Sequence, residues 1–218
     1  MATIHPFPAR RSILCAMHGI MTRTTAPGWV DALVRRAARH RPDIVVVGAT
    51  YFAGPAPRLT HLLTNRRQVR AMTRRLSSFP PDMPLHFAAH SNGAVIAMGV
   101  MDRLLSDGRP VDTATLIQAA LPSSARTLSR RYPHAMGIDA PDIEAWCSPA
   151  DRIVGRWLWP LRWLRWPWGD LGGRGLQPGD LPMFRSVIDP QHNHSSRFTP
   201  TYLPDTLDAI LDRVPTVD

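Results

Sequence analysis

One stretch constrains the fold more than any other: Leu85-His-Phe-Ala-Ala-His-Ser-Asn-Gly-Ala-Val-Ile-Ala-Met-Gly-Val-Met101. Led in by Pro84, it opens as a short apolar run of strand length, turns at Ala89-His90-Ser91-Asn92-Gly93, and continues as an apolar segment of helical length. A buried strand that turns at once into a helix, with a serine at the apex between small residues, has the geometry of a nucleophile elbow. The usual pattern is G-x-S-x-G, and here Ala89 stands for the first glycine. The turn crowds the positions two before and two after the serine, so only small side chains fit there.

Other strands are read from short β-branched or apolar runs: Ser12–Met17, Ile44–Val47, Thr113–Ala119, Ile143–Cys147 and Arg185–Ile188, with Leu85–Ala89 as the third in order. Between them the apolar period changes to that of a helix. Pro27-Gly28 opens the first, with Trp29, Val30, Leu33, Val34, Ala37 and Ala38 on its inner face. The next runs from about Thr60 to Leu76, with Leu59, Leu62, Leu63, Val69, Met72 and Leu76 turned inward. The helix after the serine reaches about Leu105, a short one is expected over Ser123–Arg131, and the last begins near Pro204. Continuous apolar strands alternating with helices predict an α/β fold: a doubly wound, mostly parallel sheet of about six strands with helices on both faces. No internal repeat or domain boundary interrupts the chain, so one domain is expected over residues 1–218, in line with its length.

The formal net charge of +9 raises the question of an anionic partner, but all 26 basic residues are arginine and none is lysine, the mark of a compositional bias. Arg66, Arg67, Arg70, Arg74 and Arg75 have no base-stacking aromatics among them, so a solvated helix face is expected and nucleic-acid binding is not. Cys15 and Cys147 sit in apolar runs as small hydrophobes, not as a disulfide framework. Arg10-Arg11 before Ser12–Met17 imitates a signal peptide, but the apolar run is short and serves as a core strand. The expectation is an uncleaved cytoplasmic protein without a membrane span.

In doubly wound sheets reactive groups gather in the loops at the carboxyl ends of the strands. Those loops hold His18-Gly19-Ile20, Ser91, Ser148-Pro149-Ala150-Asp151 and His192-Asn193-His194-Ser195. A serine hydroxyl needs a histidine to take its proton, the imidazolium needs a carboxylate, and a tetrahedral intermediate needs two convergent N–H donors. Asp151 follows a strong strand; Asp170, Asp180 and Asp189 are its rivals, and His192 is the rival of His194. His192-x-His194 lacks further ligands at metal spacing, so neither metal nor cofactor is expected.

With these residues in place the sequence resembles the α/β-hydrolase superfamily over most of its length, carried by His18-Gly19, Ala89–Gly93, Ser148–Asp151 and His194-Ser195 in the order Ser, Asp, His. The resemblance implies a minimal version of the fold without the N-terminal hairpin. It further implies Ser91 as nucleophile, His194 as base, Asp151 as orienting acid, and the N–H groups of Asn92 and Ile20 as oxyanion hole. His18 would shape the oxyanion loop, and His90 would pack under the elbow without a chemical role. Between acid and base, residues 152–183 form an expected cap, and Arg156–Trp168 holds five of the seven tryptophans. Gly19, Trp157 and Trp159 are expected to contact an apolar acyl ester. Trp163, Trp166 and Trp168, with Arg156, Arg162 and Arg165, leave peripheral membrane contact open as the other use of the same segment. The glycine-rich Gly169–Gly175 is expected to be a flexible loop. Sequence leaves the oligomeric state open.

Overall fold

A computed structural model describes residues 11–19, 28–49, 58–151, 169–178 and 181–216, without the side chains of 58–63. Six strands form one sheet in the order β2-β1-β3-β4-β5-β6. They are β1 (Ser12–Met17), β2 (Ile44–Ala49), β3 (Leu85–His90), β4 (Thr113–Ile117), β5 (Asp142–Cys147) and β6 (Phe184–Ile188). Every pairing is parallel, from Ser12 opposite Ile44 to Cys147 opposite Ile188. Parallel strands need crossovers that return over a face, and α1 (Trp29–His40), α2 (Arg58–Ser77), α3 (Asn92–Ser106), α4 (Ala125–Arg131), α5 (Leu171–Arg174) and α6 (Leu203–Asp212) accompany them.

Alternation along β1 shows how both faces are covered. Ile13, Cys15 and Met17 join the core built with α2 and α3, including Met72, Leu76, Ile96, Val100 and Leu104. Leu14 and Ala16 point the other way, into the core built with α1 and α6: Trp29, Leu33, Ala37, Leu207, Ile210 and Leu211. Each fully buried Leu or Ile stabilises the fold by roughly 1.5–3 kcal/mol. Among the described residues no helix is long and apolar enough to cross a membrane. Cys15 and Cys147 are buried, and burial pushes the Cys15 thiol up to about 12, which makes it inert.

Several expectations need correction. The buried stripe of α1 is narrower than the sequence pattern suggested: Trp29, Leu33 and Ala37 are buried, whereas Val34 and Ala38 face solvent. In α2 Met72 and Leu76 are buried and Val69 half-buried; the side chains of Leu59, Leu62 and Leu63 lie outside the described residues. Arg66, Arg67, Arg70, Arg74 and Arg75 are exposed. β4 stops at Ile117 instead of Ala119 because the chain turns at Gln118 through φ 44°, a left-handed value rare for a residue with a side chain.

The glycine run after Gly169 is not a loose loop. Leu171–Arg174 forms one helical turn, with Leu171 and Gly172 buried. Its backbone is tied to the ends of β4 and β5: Leu171 N donates to Leu121 O at 2.9 Å, Gly172 N to Ala119 O at 2.9 Å, and Ser148 N to Gly172 O at 2.7 Å. A Cβ at Gly169 would stand 2.4 Å from Leu121 O, and one at Gly172 would stand 2.5 Å from Gln118 C. These glycines allow backbone to lie against backbone. The rest of the expected cap, 152–168 with all five of its tryptophans, lies outside the described residues.

Candidate active site

The strand order reverses between β1 and β3: from β1 the chain steps outward to β2, then returns to the other side of β1. Such a switch point opens a crevice at the carboxyl ends of the two strands. His18-Gly19 follows β1 and Ser91 follows β3, so both border it. Gly19 lies against the serine, since a Cβ built on it would come within 2.8 Å of Ser91 Cβ and 3.3 Å of Ser91 Oγ.

Ser91 stands at φ 54°, ψ −122°, a conformation that costs a non-glycine residue about 1–3 kcal/mol. The surroundings impose it. Ser91 N donates to Ile117 O at 3.0 Å, while Ser91 O accepts from Ala94 N at 3.1 Å and Ala120 N at 3.2 Å. Gly93 is the elbow's tightest point: a Cβ there would sit 2.5 Å from Met17 O and 2.6 Å from His18 O, so α3 can start only with its backbone against β1. Ala89 is fully buried and its methyl is accommodated, which explains why the first glycine of the pattern is dispensable and the second is not. Replacing Gly93 with alanine should therefore lower stability by about 3 kcal/mol, read from urea unfolding, whereas Ala89→Gly should cost about 1 kcal/mol.

His194 follows β6 and reaches back over Ser91, with Nε2 3.0 Å from Ser91 Oγ. Its Nδ1 lies 2.8 Å from Asp151 Oδ2, and the Asp151 side chain is fully buried. Nδ1 donates to the carboxylate, which leaves Nε2 to accept the serine proton. The rivals are engaged elsewhere. Asp170 accepts from Ser123 Oγ at 2.7 Å and pairs with Arg174, and Asp189 pairs with Arg197 at 2.7 Å. His192 lies 3.2 Å from Ser196 Oγ and 3.4 Å from Asp189 Oδ2. Asp180 lies outside the described residues. No group of His, Cys, Asp and Glu among the described residues could hold a metal ion.

Asn92 is the first residue of α3, so its N–H stands at the positive end of that helix. Ile20, the other expected donor, and Trp157 and Trp159, the expected substrate contacts, lie outside the described residues. His18 Nδ1 donates to Gly19 O at 2.8 Å, consistent with a part in shaping that loop. His90 packs beneath the elbow: its ring centroid is 4.8 Å from that of His194 and 4.8 Å, edge-on, from Phe198, which in turn stacks on Trp29. Burial pushes the His90 imidazole down to about 3, so it is neutral wherever a base at His194 would work.

Sequence reasoning missed Asn65. Its amide pairs reciprocally with that of Asn92: Asn65 Nδ2 donates to Asn92 Oδ1 at 3.0 Å, and Asn92 Nδ2 donates to Asn65 Oδ1 at 3.1 Å. Both residues are buried, so the two amides satisfy each other and pin the start of α3 to α2.

Solved structures share the overall fold of this chain. The NocB thioesterase domain, solved as a covalent complex with a fluorophosphonate nocardicin G analogue, is 17% identical with a TM-score of 0.53, over 94% of this chain and 95% of that one. An α/β-superfamily protein from Xanthomonas campestris pv. campestris is 16% identical at 0.55, over 93% and 98%. The chain has the α/β-hydrolase fold. Est1E from Butyrivibrio proteoclasticus shares this fold at 11% identity and a TM-score of 0.55, over 94% and 88% of the two chains. In sequence, no family model and no curated protein matches. Within the α/β-hydrolase fold this version begins its described sheet at Ser12 and has no antiparallel pairing in its named strands.

Proposed function

We propose that this protein is a serine hydrolase that cleaves a carboxylic ester or thioester through an acyl-enzyme on Ser91. The observation that carries the proposal is the unbroken chain of contacts from Ser91 Oγ to His194 (3.0 Å) and from His194 to Asp151 (2.8 Å). His194 takes the serine proton as Oγ attacks the carbonyl carbon, then returns it to the leaving alcohol or thiol. Asp151 holds the imidazole in the working tautomer, and the N–H groups of Asn92 and Ile20 receive the oxyanion. Water, activated by the same histidine, releases the acid. The ester-or-thioester scope is supported by neighbours described as thioesterases, NocB and the type II thioesterase YbtT of yersiniabactin biosynthesis.

A non-catalytic module using residues 156–168 to bind a membrane surface or a partner protein would not need these three side chains in register, and their contacts weigh against it. A fluorophosphonate probe tests the proposal: the protein should be labelled with one equivalent, and Ser91→Ala should abolish labelling. No labelling, or labelling that survives the substitution, would overturn it. A panel of p-nitrophenyl esters of increasing chain length then reads the size of the acyl pocket.

A further inference from the structure

The loop that carries His194 lacks a ladder of its own. β6 ends at Ile188, and the next regular turn begins at Ser196. Three consecutive carbonyls of this loop are instead addressed by side chains from elsewhere. His90 Nε2 lies 2.8 Å from His194 O, and Gln118 Nε2 donates to Asn193 O and reaches His192 O at 3.5 Å. A carbonyl oxygen can only accept, so His90 carries its proton on Nε2.

Both donors are buried, and both stand at the carboxyl ends of neighbouring strands, His90 closing β3 and Gln118 following β4. Gln118 is otherwise an unfavourable choice. Its backbone holds φ 44°, and its Oε1 is buried with no hydrogen-bond partner. Strain and an orphaned acceptor in one residue are costs that local packing does not explain. What the residue provides is a fixed N–H aimed at the loop between Asp189 and Ser196.

We propose that His90 and Gln118 are positioning residues, two buried donors that clamp the carbonyls of the 192–194 loop and so hold the His194 ring over Ser91. The inference rests on the reading of Ser91, His194 and Asp151 as a triad. It adds that donors at the ends of β3 and β4 set the register of the base, on top of the turn the loop makes for itself where Asn193 Oδ1 accepts from Ser195 N and Ser196 N. A displacement of about 1 Å at a reacting group can cost on the order of 100-fold in rate.

The test measures the rate of fluorophosphonate labelling, and kcat and KM on p-nitrophenyl butyrate, for wild type, His90→Phe, His90→Gln and Gln118→Leu. Phenylalanine keeps the ring contacts with His194 and Phe198 and removes the donor; glutamine restores a donor. Labelling and kcat should fall by about 10- to 100-fold in His90→Phe and Gln118→Leu with KM within about twofold, and His90→Gln should recover most of the rate. Melting temperatures identify variants that fail to fold; if His90→Phe is one, Gln118→Leu decides. Labelling of the two apolar variants at the wild-type rate would overturn the clamp, as would a change in KM alone. A wild-type protein that does not label would overturn the triad reading instead, and the clamp with it.

Discussion

Ser91→Ala should leave a folded protein whose kcat/KM on a p-nitrophenyl ester is lower by at least about 10⁴-fold, because without the Oγ no acyl-enzyme can form. The fold should tolerate the change. Ser91 is 8% exposed, its backbone is fixed by three main-chain hydrogen bonds, and alanine suffers the same φ strain without adding to it. Melting by circular dichroism should therefore differ by only a few degrees, roughly the shift expected from 1 kcal/mol. Asp151→Asn is the informative partner. An amide in that fully buried place would still occupy the volume but would present a donor as readily as an acceptor, so His194 loses its working tautomer. A loss of about 10⁴-fold is expected. If the Ser91→Ala protein turns over substrate at the wild-type rate, the chemistry lies elsewhere.

Stability should collapse in mild acid, well above the range in which carboxylates titrate. His86 is buried on β3, with Nδ1 2.9 Å from Thr113 Oγ1 and Nε2 without a partner, and burial pushes it down to about 4. His90, pushed down to about 3 by burial and then by its neighbour His194, behaves alike. In the unfolded chain each titrates near 6.5, so between about 6.5 and 4 the unfolded state binds more protons than the folded one. Stability is then fully present above about pH 6.5 and falls as pH drops, by about 2 kcal/mol per histidine at pH 5. Asp43 and Asp208, whose carboxyls are held low by Arg41 and Arg36, add their losses only below about pH 4. The urea midpoint should be flat from pH 8 to 7 and then fall steeply. In His86→Gln the fall should be about half as large. A midpoint unchanged down to pH 5 would contradict the assignment.

The sheet was legible because each strand is a short apolar run closed by a turn residue, and the site was legible because its residues fall in the loops after those strands. Ser91 needed only the strand-turn-helix pattern around it. His194 and Asp151 could be named with rivals, but that the His194 ring faces Ser91 while the His192 ring faces Ser196 is seen only in the structure, since it depends on which ring the loop turns inward. Gly169–Gly175 misled for a physical reason: glycine serves both freedom and close approach, and composition does not distinguish the two. Asn65 and Gln118 were invisible for another. Each is a polar residue whose partner lies 27 or 75 positions away, and no local period announces such a contact.

The amide pair between Asn65 and Asn92 also bears on how the molecule ages. Asn92-Gly93 is the only Asn-Gly dipeptide in the chain, and this is the dipeptide most prone to deamidation, because the unhindered glycine nitrogen can attack the asparagine side-chain carbonyl. In the fold that carbonyl is held at 3.0 Å by Asn65, and the Gly93 backbone is wound into α3 against Met17 and His18. The reaction is closed to the native protein and open to the unfolded one. Damage at this position would leave an aspartate or isoaspartate beside Ser91, facing an amide that expects its mirror. Chemical lifetime is thus tied to the time spent unfolded, and every excursion puts the elbow itself at risk.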